Sequence, residues 1–358
     1  MWDSWKTTKV LLILILVLSL VTLRGQLPLQ VDEPSNVVID ENVISLQSLT
    51  LKQKIAQMIL VYGKDSNAEL YQKMLIGGVY LGAKRQEADF NDAVSSFQEK
   101  ATIPLLVAVD LEGCLNPFEN FAQFPSLAEI NTSDEAYAVG KREGELLSSL
   151  RINVNLAPVL DLKDDILHCR SFSGSTEEVS EKGARYLAGL QEQEVLAVGK
   201  HYPGKTLSVD DSHKTIVSAT IGEDDLVPFK EAMTNDVSGI MVSHVISSGA
   251  VDSEGRPSGV SPAVVSSLRQ QFSGLIFSDE VGMLGLAGFY KPAEVNIMYV
   301  DLVKAGHDLI LNFDRDPKNI YRMIRAVEKA VENGEISEER IDSSVRRILT
   351  AKGMTVVE

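Results

Sequence analysis

A lysine and a histidine stand side by side, Lys200-His201, at the end of the apolar run Val195-Leu-Ala-Val198. A Pro203-Gly204 turn follows, then Asp211-Ser212-His213, so an ammonium, two imidazoles and a carboxylate fall within fourteen residues. A buried strand that ends in Lys-His and passes into a polar loop is how an active site is built at the carboxyl edge of a sheet. In Asp211-x-His213 the carboxylate can orient the ring and favour its protonated form. An imidazole, which ordinarily titrates near about 6.5, then serves as general acid and base. Further on, Asp279 follows the apolar run Leu275-Ile-Phe-Ser278. A carboxylate there is partly desolvated, yet nearby Lys200 and Arg170 would keep it ionised, a good nucleophile toward an oxocarbenium-like sugar carbon. Asp279 is equally acceptable as a helix N-cap, and spacing alone leaves both roles open.

Other chemistries fit less well. Asp110, Glu112, His201, His213 and His244 are the residues a metal site would draw on, but no tight His-x-x-x-His or cysteine spacing supports one. No Gly-x-Ser-x-Gly elbow is present for a serine hydrolase. A net charge of −16 argues against nucleic acid, whose binding needs clustered Lys and Arg. No Walker or Rossmann glycine pattern and no solenoid-length repeat occurs.

The elements that must position these residues alternate along the chain. Short apolar runs at 58–62, 78–81, 105–110, 153–156, 197–201, 239–243, 274–278 and 308–311 predict strands. Amphipathic stretches between them, such as 133–150, 176–193, 224–235, 261–272 and 293–305, predict helices, with caps at Ser133, Ser175 and Ser261-Pro262. The tail, 316–352, reads as two helices separated by Asn333-Gly334. Eight strands each followed by a helix match an α/β fold of the (β/α)₈ barrel type, TIM-like and a single catalytic domain. Barrel chemistry sits at the C-terminal strand ends, and those ends carry Asp110-Leu-Glu112, Asp161, Lys200-His201, Ser243-His244, Asp279-Glu280 and Asn312.

The N-terminus departs from the globular pattern. Lys6 and Lys9 precede an apolar run, 10–23, broken only by Ser19 and Thr22. Residues 1–25 read as a signal peptide or an uncleaved membrane anchor, and 26–45 as a linker, which places the remainder outside the cytoplasm, secreted or attached to the membrane through 10–23. Two cysteines, Cys114 and Cys169, are too few for a disulfide scaffold. In an exported chain they either pair or remain separate thiols.

Taken together, Lys200-His-Tyr-Pro-Gly204, Asp211-Ser-His213 and Ile276-Phe-Ser-Asp-Glu-Val-Gly-Met283 resemble glycoside hydrolase family 3, specifically its single-domain bacterial β-N-acetylglucosaminidases. Val109-Asp-Leu-Glu-Gly113, Asn155-Leu-Ala-Pro-Val-Leu-Asp161, Arg170-Ser-Phe172 and Met241-Val-Ser-His-Val245 match in family order, across about 46–352. The resemblance implies a catalytic barrel over 46–358 and a retaining exo-glycosidase that releases terminal β-linked N-acetylglucosamine (a β-N-acetylhexosaminidase) from peptidoglycan fragments or chitin-type oligosaccharides. It implies Asp279 as nucleophile and His213 with Asp211 as acid/base. Asp110, Arg170, Lys200 and His201 would hold sugar hydroxyls and Met283 would line the pocket. No metal or organic cofactor is implied, and a closed barrel needs no partner, so a monomer is expected. The chain departs from the family at Leu115 and Phe118, where arginines usually stand, and at Gly204-Lys205-Thr206, where Gly-His-Gly is usual. An apolar ring in place of guanidinium forks would re-aim recognition of the distal hydroxyls. The alternatives are a β-N-acetylglucosaminide phosphorylase, since an imidazole would not repel an incoming phosphate, and a non-catalytic glycan-binding barrel.

Overall fold

The eight predicted strands all form: β1 (Ile59–Tyr62), β2 (Gly78–Tyr80), β3 (Leu106–Val109), β4 (Val154–Asn155), β5 (Leu196–Tyr202), β6 (Gly239–Val242), β7 (Leu275–Ser278) and β8 (Ile310–Asn312). The computed structural model describes Val31 and residues 34–358. The expected signal or anchor, 1–25, with its apolar run, and the first part of the expected linker lie outside the described residues. Among the described residues no helix is long and apolar enough to cross a membrane.

Each barrel strand pairs in parallel with the next, and β8 returns to β1 with Ile310 opposite Ile59. The ring closes between β7 and β8 at a bridge of Phe277 with Leu309. Strands buried on both faces read as continuous apolar runs, as Leu106-Val-Ala-Val109 does, because helices cover them outside and neighbouring strands' side chains fill the inside. The covering helices include Ser133–Ser149, Thr176–Gln191, Glu223–Thr234, Pro262–Gln271 and Val295–Ala305, followed by Pro317–Glu332 and Glu338–Ala351. Ser175 caps its helix as expected and forms a reciprocal box with Glu178. The cap expected at Ser133 is Thr132 instead, which accepts the Glu135 N–H while Glu135 reaches back. Ser261 stands at the N-cap before Pro262, but its hydroxyl makes no capping bond.

Two small sheets have no counterpart in the sequence expectations. Ile39–Asp40 and Val43–Ser45, within the stretch read as linker, form a hairpin that Thr355–Val357 joins. Ser218–Ile221 pairs in parallel with Ile246–Gly249, joining the loops that leave β5 and β6. Beneath the barrel, buried Asp308 accepts from Arg269, Arg347, Ser344 and the Ile276 N–H, fastening β7 and β8 to the outer helices.

Candidate active site

Strand geometry sends successive side chains to opposite faces, so Lys200 and His201 would not both reach one cavity from a regular strand. A bulge at β5 resolves this, since the register with β6 shifts between Lys200 and Tyr202. Both residues then line a cavity of about 500 Å³ at the C-terminal ends of the strands. Asp110 and Glu112, two residues apart, reach the same cavity from the end of β3. Asn155 of β4 holds the backbone between them: it accepts the Leu111 N–H at 2.9 Å and donates to the Leu111 carbonyl at 3.0 Å. Gly113 follows with φ of 78°, and a Cβ there would lie 2.0 Å from the Pro125 carbonyl oxygen, so only glycine lets the chain turn away after Glu112.

Glu112 is the hub of the polar end. It is fully buried, and Arg170 grips it with Nε at 2.6 Å and a second guanidinium nitrogen at 3.0 Å, while Lys200 Nζ lies 2.5 Å from its Oε1. The same ammonium lies 2.5 Å from Asp110 Oδ1. Burial would raise the Glu112 pKa, but the Lys200 and Arg170 charges hold it well below the usual carboxylate range. Burial likewise opposes the charge on Lys200, and Asp110 and Glu112 overcome it, so the ammonium is kept. The four groups form a neutral cluster of two carboxylates and two cations.

His201 is turned by Asp161, whose Oδ2 lies 2.9 Å from the ring Nδ1 and accepts the His201 N–H at 3.1 Å. The other oxygen of Asp161 accepts the Thr206 N–H at 2.6 Å, which anchors the start of the loop after β5. On that loop Asp211 Oδ1 meets the His213 Nδ1 at 2.9 Å and also accepts its backbone N–H. Lys214 binds the other Asp211 oxygen at 3.0 Å. Burial, the largest single influence, raises the Asp211 carboxyl, and the bonds from Lys214 and His213 together outweigh it, bringing it to about 2. His213 itself is open to the cavity, its side chain 66% exposed.

Asp279, just past β7, also lines the cavity. Burial raises its pKa, and the neighbouring His201 and His244, the Glu280 N–H at 2.8 Å and His213 together bring it below the ordinary value. The expectation that Lys200 and Arg170 keep Asp279 ionised is therefore corrected: those cations are engaged by Asp110 and Glu112, and histidines face Asp279 instead. The neighbouring Glu280 shifts the other way, raised by burial and by Asp279, and its Oε1 accepts the Phe313 N–H at 3.2 Å. Two adjacent carboxyls are thus driven apart, one held as the anion.

Every residue singled out as catalytic or sugar-binding lines this one cavity: Asp110, Arg170, Lys200, His201, Asp211, His213, Asp279 and Met283. Of the two apolar departures, Leu115 lines it, but Phe118 does not. Phe118 is fully buried against Phe90 and Phe121, so no apolar ring formed by the pair faces the substrate. Glu112 was named as a strand-end acid, as a possible metal ligand and within a family motif, but not as the partner of Arg170 and Lys200. An aromatic wall was missed altogether: Tyr80 and Phe313 stack at 4.5 Å on the cavity's edge, with Tyr62 behind them. Cys114 and Cys169 are joined as a disulfide, tying the loop of Glu112 to the loop of Arg170.

Residues 50–351 match the glycosyl hydrolase family 3 N-terminal domain. The chain belongs to this family. It is 29% identical to the β-hexosaminidase LpqI of Mycobacterium bovis (strain BCG / Pasteur 1173P2) over 329 residues, covering 85% of this chain and 83% of that protein. It is 33% identical to a β-hexosaminidase of Idiomarina loihiensis over 278 residues, 71% of this chain and 82% of the relative. Its fold superposes on a family 3 β-N-acetylglucosaminidase from Paenibacillus sp. str. FPU-7 with a TM-score of 0.77 at 30% identity, covering 85% of this chain and 62% of that one. The chain is a glycoside hydrolase with the TIM-like barrel of its family.

Proposed function

We propose that this family 3 enzyme is a retaining exo-β-N-acetylhexosaminidase that acts outside the cytoplasm on terminal β-linked N-acetylglucosamine of peptidoglycan fragments or chitin-type oligosaccharides. The β-hexosaminidase relatives support the reaction class. The observation that carries the mechanism is the pairing, within one cavity, of an ionised Asp279 with the open Asp211–His213 dyad.

In this reading Asp110, Arg170, Lys200 and His201 hold the hydroxyls of the terminal sugar, and Met283 packs against it. Asp211 fixes a proton on His213 Nδ1, which leaves Nε2 to meet the glycosidic oxygen. Asp279 attacks C1 while His213 gives its Nε2 proton to the leaving oxygen, forming a covalent glycosyl-enzyme. A water then adds to C1 as His213 takes its proton, and Asp279 leaves, with net retention. The apolar run 10–23 is the basis for placing this activity beyond the membrane, with that run as leader or attachment.

The test is release of nitrophenol from 4-nitrophenyl β-N-acetylglucosaminide by residues 32–358, with Asp279→Ala beside it. Turnover that vanishes in a variant with wild-type melting temperature is expected. Retained turnover in Asp279→Ala would rule the mechanism out. Stimulation by phosphate with formation of a sugar-1-phosphate would turn the reading to a phosphorylase.

A further inference from the structure

Because the strands run round the barrel in chain order, β3 and β4 lie across the mouth from β7, which carries Asp279. The loops that leave β3 and β4 bring Leu115, Ile166 and Leu167 to the cavity beside the Asp110–Glu112–Arg170 cluster. These are not core residues: Leu115 is 38% and Leu167 49% exposed.

The leucines are nevertheless firmly held. Asp164 accepts the N–H groups of Ile166 at 3.1 Å, Leu167 at 2.9 Å, Cys169 at 3.0 Å and Arg170 at 2.9 Å, so one carboxylate organises the whole turn. The Cys114–Cys169 disulfide ties that turn to the residue preceding Leu115. A lip fixed in this way cannot fold its apolar side chains out of water. Preorganised apolar surface continuous with a polar pocket is rewarded only by a ligand with an apolar group in the matching place.

A pyranose ring carries C1 and C4 at opposite ends. With C1 at Asp279, the C4 and C6 edge of the terminal sugar faces β3 and β4. Asp110, Lys200 and Arg170 lie there for hydroxyls, and the lip meets whatever extends from that edge. We propose that the enzyme takes a terminal N-acetylhexosamine carrying a short acyl ester on O-4 or O-6, with the acyl chain seated against Leu115, Ile166 and Leu167. This rests on the glycosidase reading above and adds the chemical class of the sugar.

The experiment compares kcat/KM for 4-nitrophenyl β-N-acetylglucosaminide with its 4-O-butanoyl and 6-O-butanoyl esters. It uses wild type, the Leu115→Ser/Leu167→Ser double variant, and Ile297→Ser, which changes an exposed residue (53%) on the helix Val295–Ala305. Burying the methylenes of a butanoyl chain predicts a preference of about tenfold for one ester over the free sugar in wild type. That ratio falls toward one in the double variant and stays at the wild-type value in Ile297→Ser. A wild-type ratio at or below one, or a ratio unchanged in the double variant, overturns the acyl inference while turnover of the free sugar leaves the glycosidase reading standing. No nitrophenol from any of the three substrates overturns both.

Discussion

Glu112→Gln removes one charge from the centre of the polar cluster and almost no volume. In the wild type two carboxylates face two cations, and Glu112 takes three of the close contacts, two from Arg170 and one from Lys200. After the substitution a net positive charge remains, with Lys200 shared by Asp110 alone and Arg170 left without its bidentate partner. Breaking a buried ion pair from one side costs about 3–5 kcal/mol, because the uncompensated charge stays behind. Against a typical total of about 5–15 kcal/mol the variant still folds, with a melting temperature lower by about 4–7 °C. The pH dependence has a fixed sign. The native Glu112 carboxyl is held below its unfolded value, so its contribution is present above the unfolded pKa and is lost as pH falls through the native one. Urea unfolding at pH 7 and at pH 4 should therefore show the gap between wild type and variant narrowing on acidification. In the chromogenic assay KM rises, because Arg170 and Lys200 lose the anchor that aims them. A variant as stable as wild type at pH 7, with unchanged KM, would refute the account of Glu112 as the hub.

In the proposed mechanism His213→Ala removes the proton donor but not the nucleophile, so kcat/KM falls by about 10²–10⁴ for poor leaving groups and much less for 2,4-dinitrophenyl glycosides. Glu143, buried on the helix Ser133–Ser149, is pushed up to about 8, chiefly by burial, with Tyr186 its hydrogen-bond partner. Its native pKa exceeds the unfolded value, so its contribution is full below the unfolded pKa and is lost as pH rises through about 8. Glu143→Gln should therefore match wild type near pH 5 and exceed it by a few kcal/mol in urea unfolding near pH 9. Cys114→Ser/Cys169→Ser releases a 55-residue separation, costing about 4 kcal/mol in chain entropy and raising KM more than it lowers kcat, as Arg170 and Glu112 lose their tether. Reduction of the wild type with dithiothreitol should reproduce that KM change.

How far the site was legible follows from what each residue depends on. The barrel was readable because a strand covered on both faces must be apolar throughout, and runs such as Leu275-Ile-Phe have no other use. Strand ends then located Asp110, Asp279 and the Lys200-His201 pair, since the fold sends such positions to the mouth, although both members of the pair reach it only through the bulge in β5. Asp211 and His213 were legible for a different reason: two residues apart on one loop, they find each other locally. What failed was everything decided by partners distant in sequence. Lys200 and Arg170 were assigned to Asp279, yet Arg170 meets Glu112 across 58 positions and Lys200 meets Asp110 across 90. Phe118 stands three residues after Leu115, but Phe90 and Phe121 draw it into the core while Leu115 stays at the rim.

The misassigned cations bear on the chemistry. Had Lys200 and Arg170 faced Asp279, two fixed cations would have held the carboxylate as an ion throughout. Bound instead into a neutral cluster with Asp110 and Glu112, they would, in the proposed reading, present oriented N–H donors to a neutral sugar with little net field at C1. The groups that face Asp279 are instead three histidines: His201, held by Asp161, buried His244, and the open His213. In the proposed mechanism His213 gives its proton to the leaving oxygen in the same step in which the Asp279 carboxylate gives up its charge to the bond at C1. A fixed guanidinium in that place would oppose the loss of negative charge, whereas an imidazole that discharges with the reaction does not.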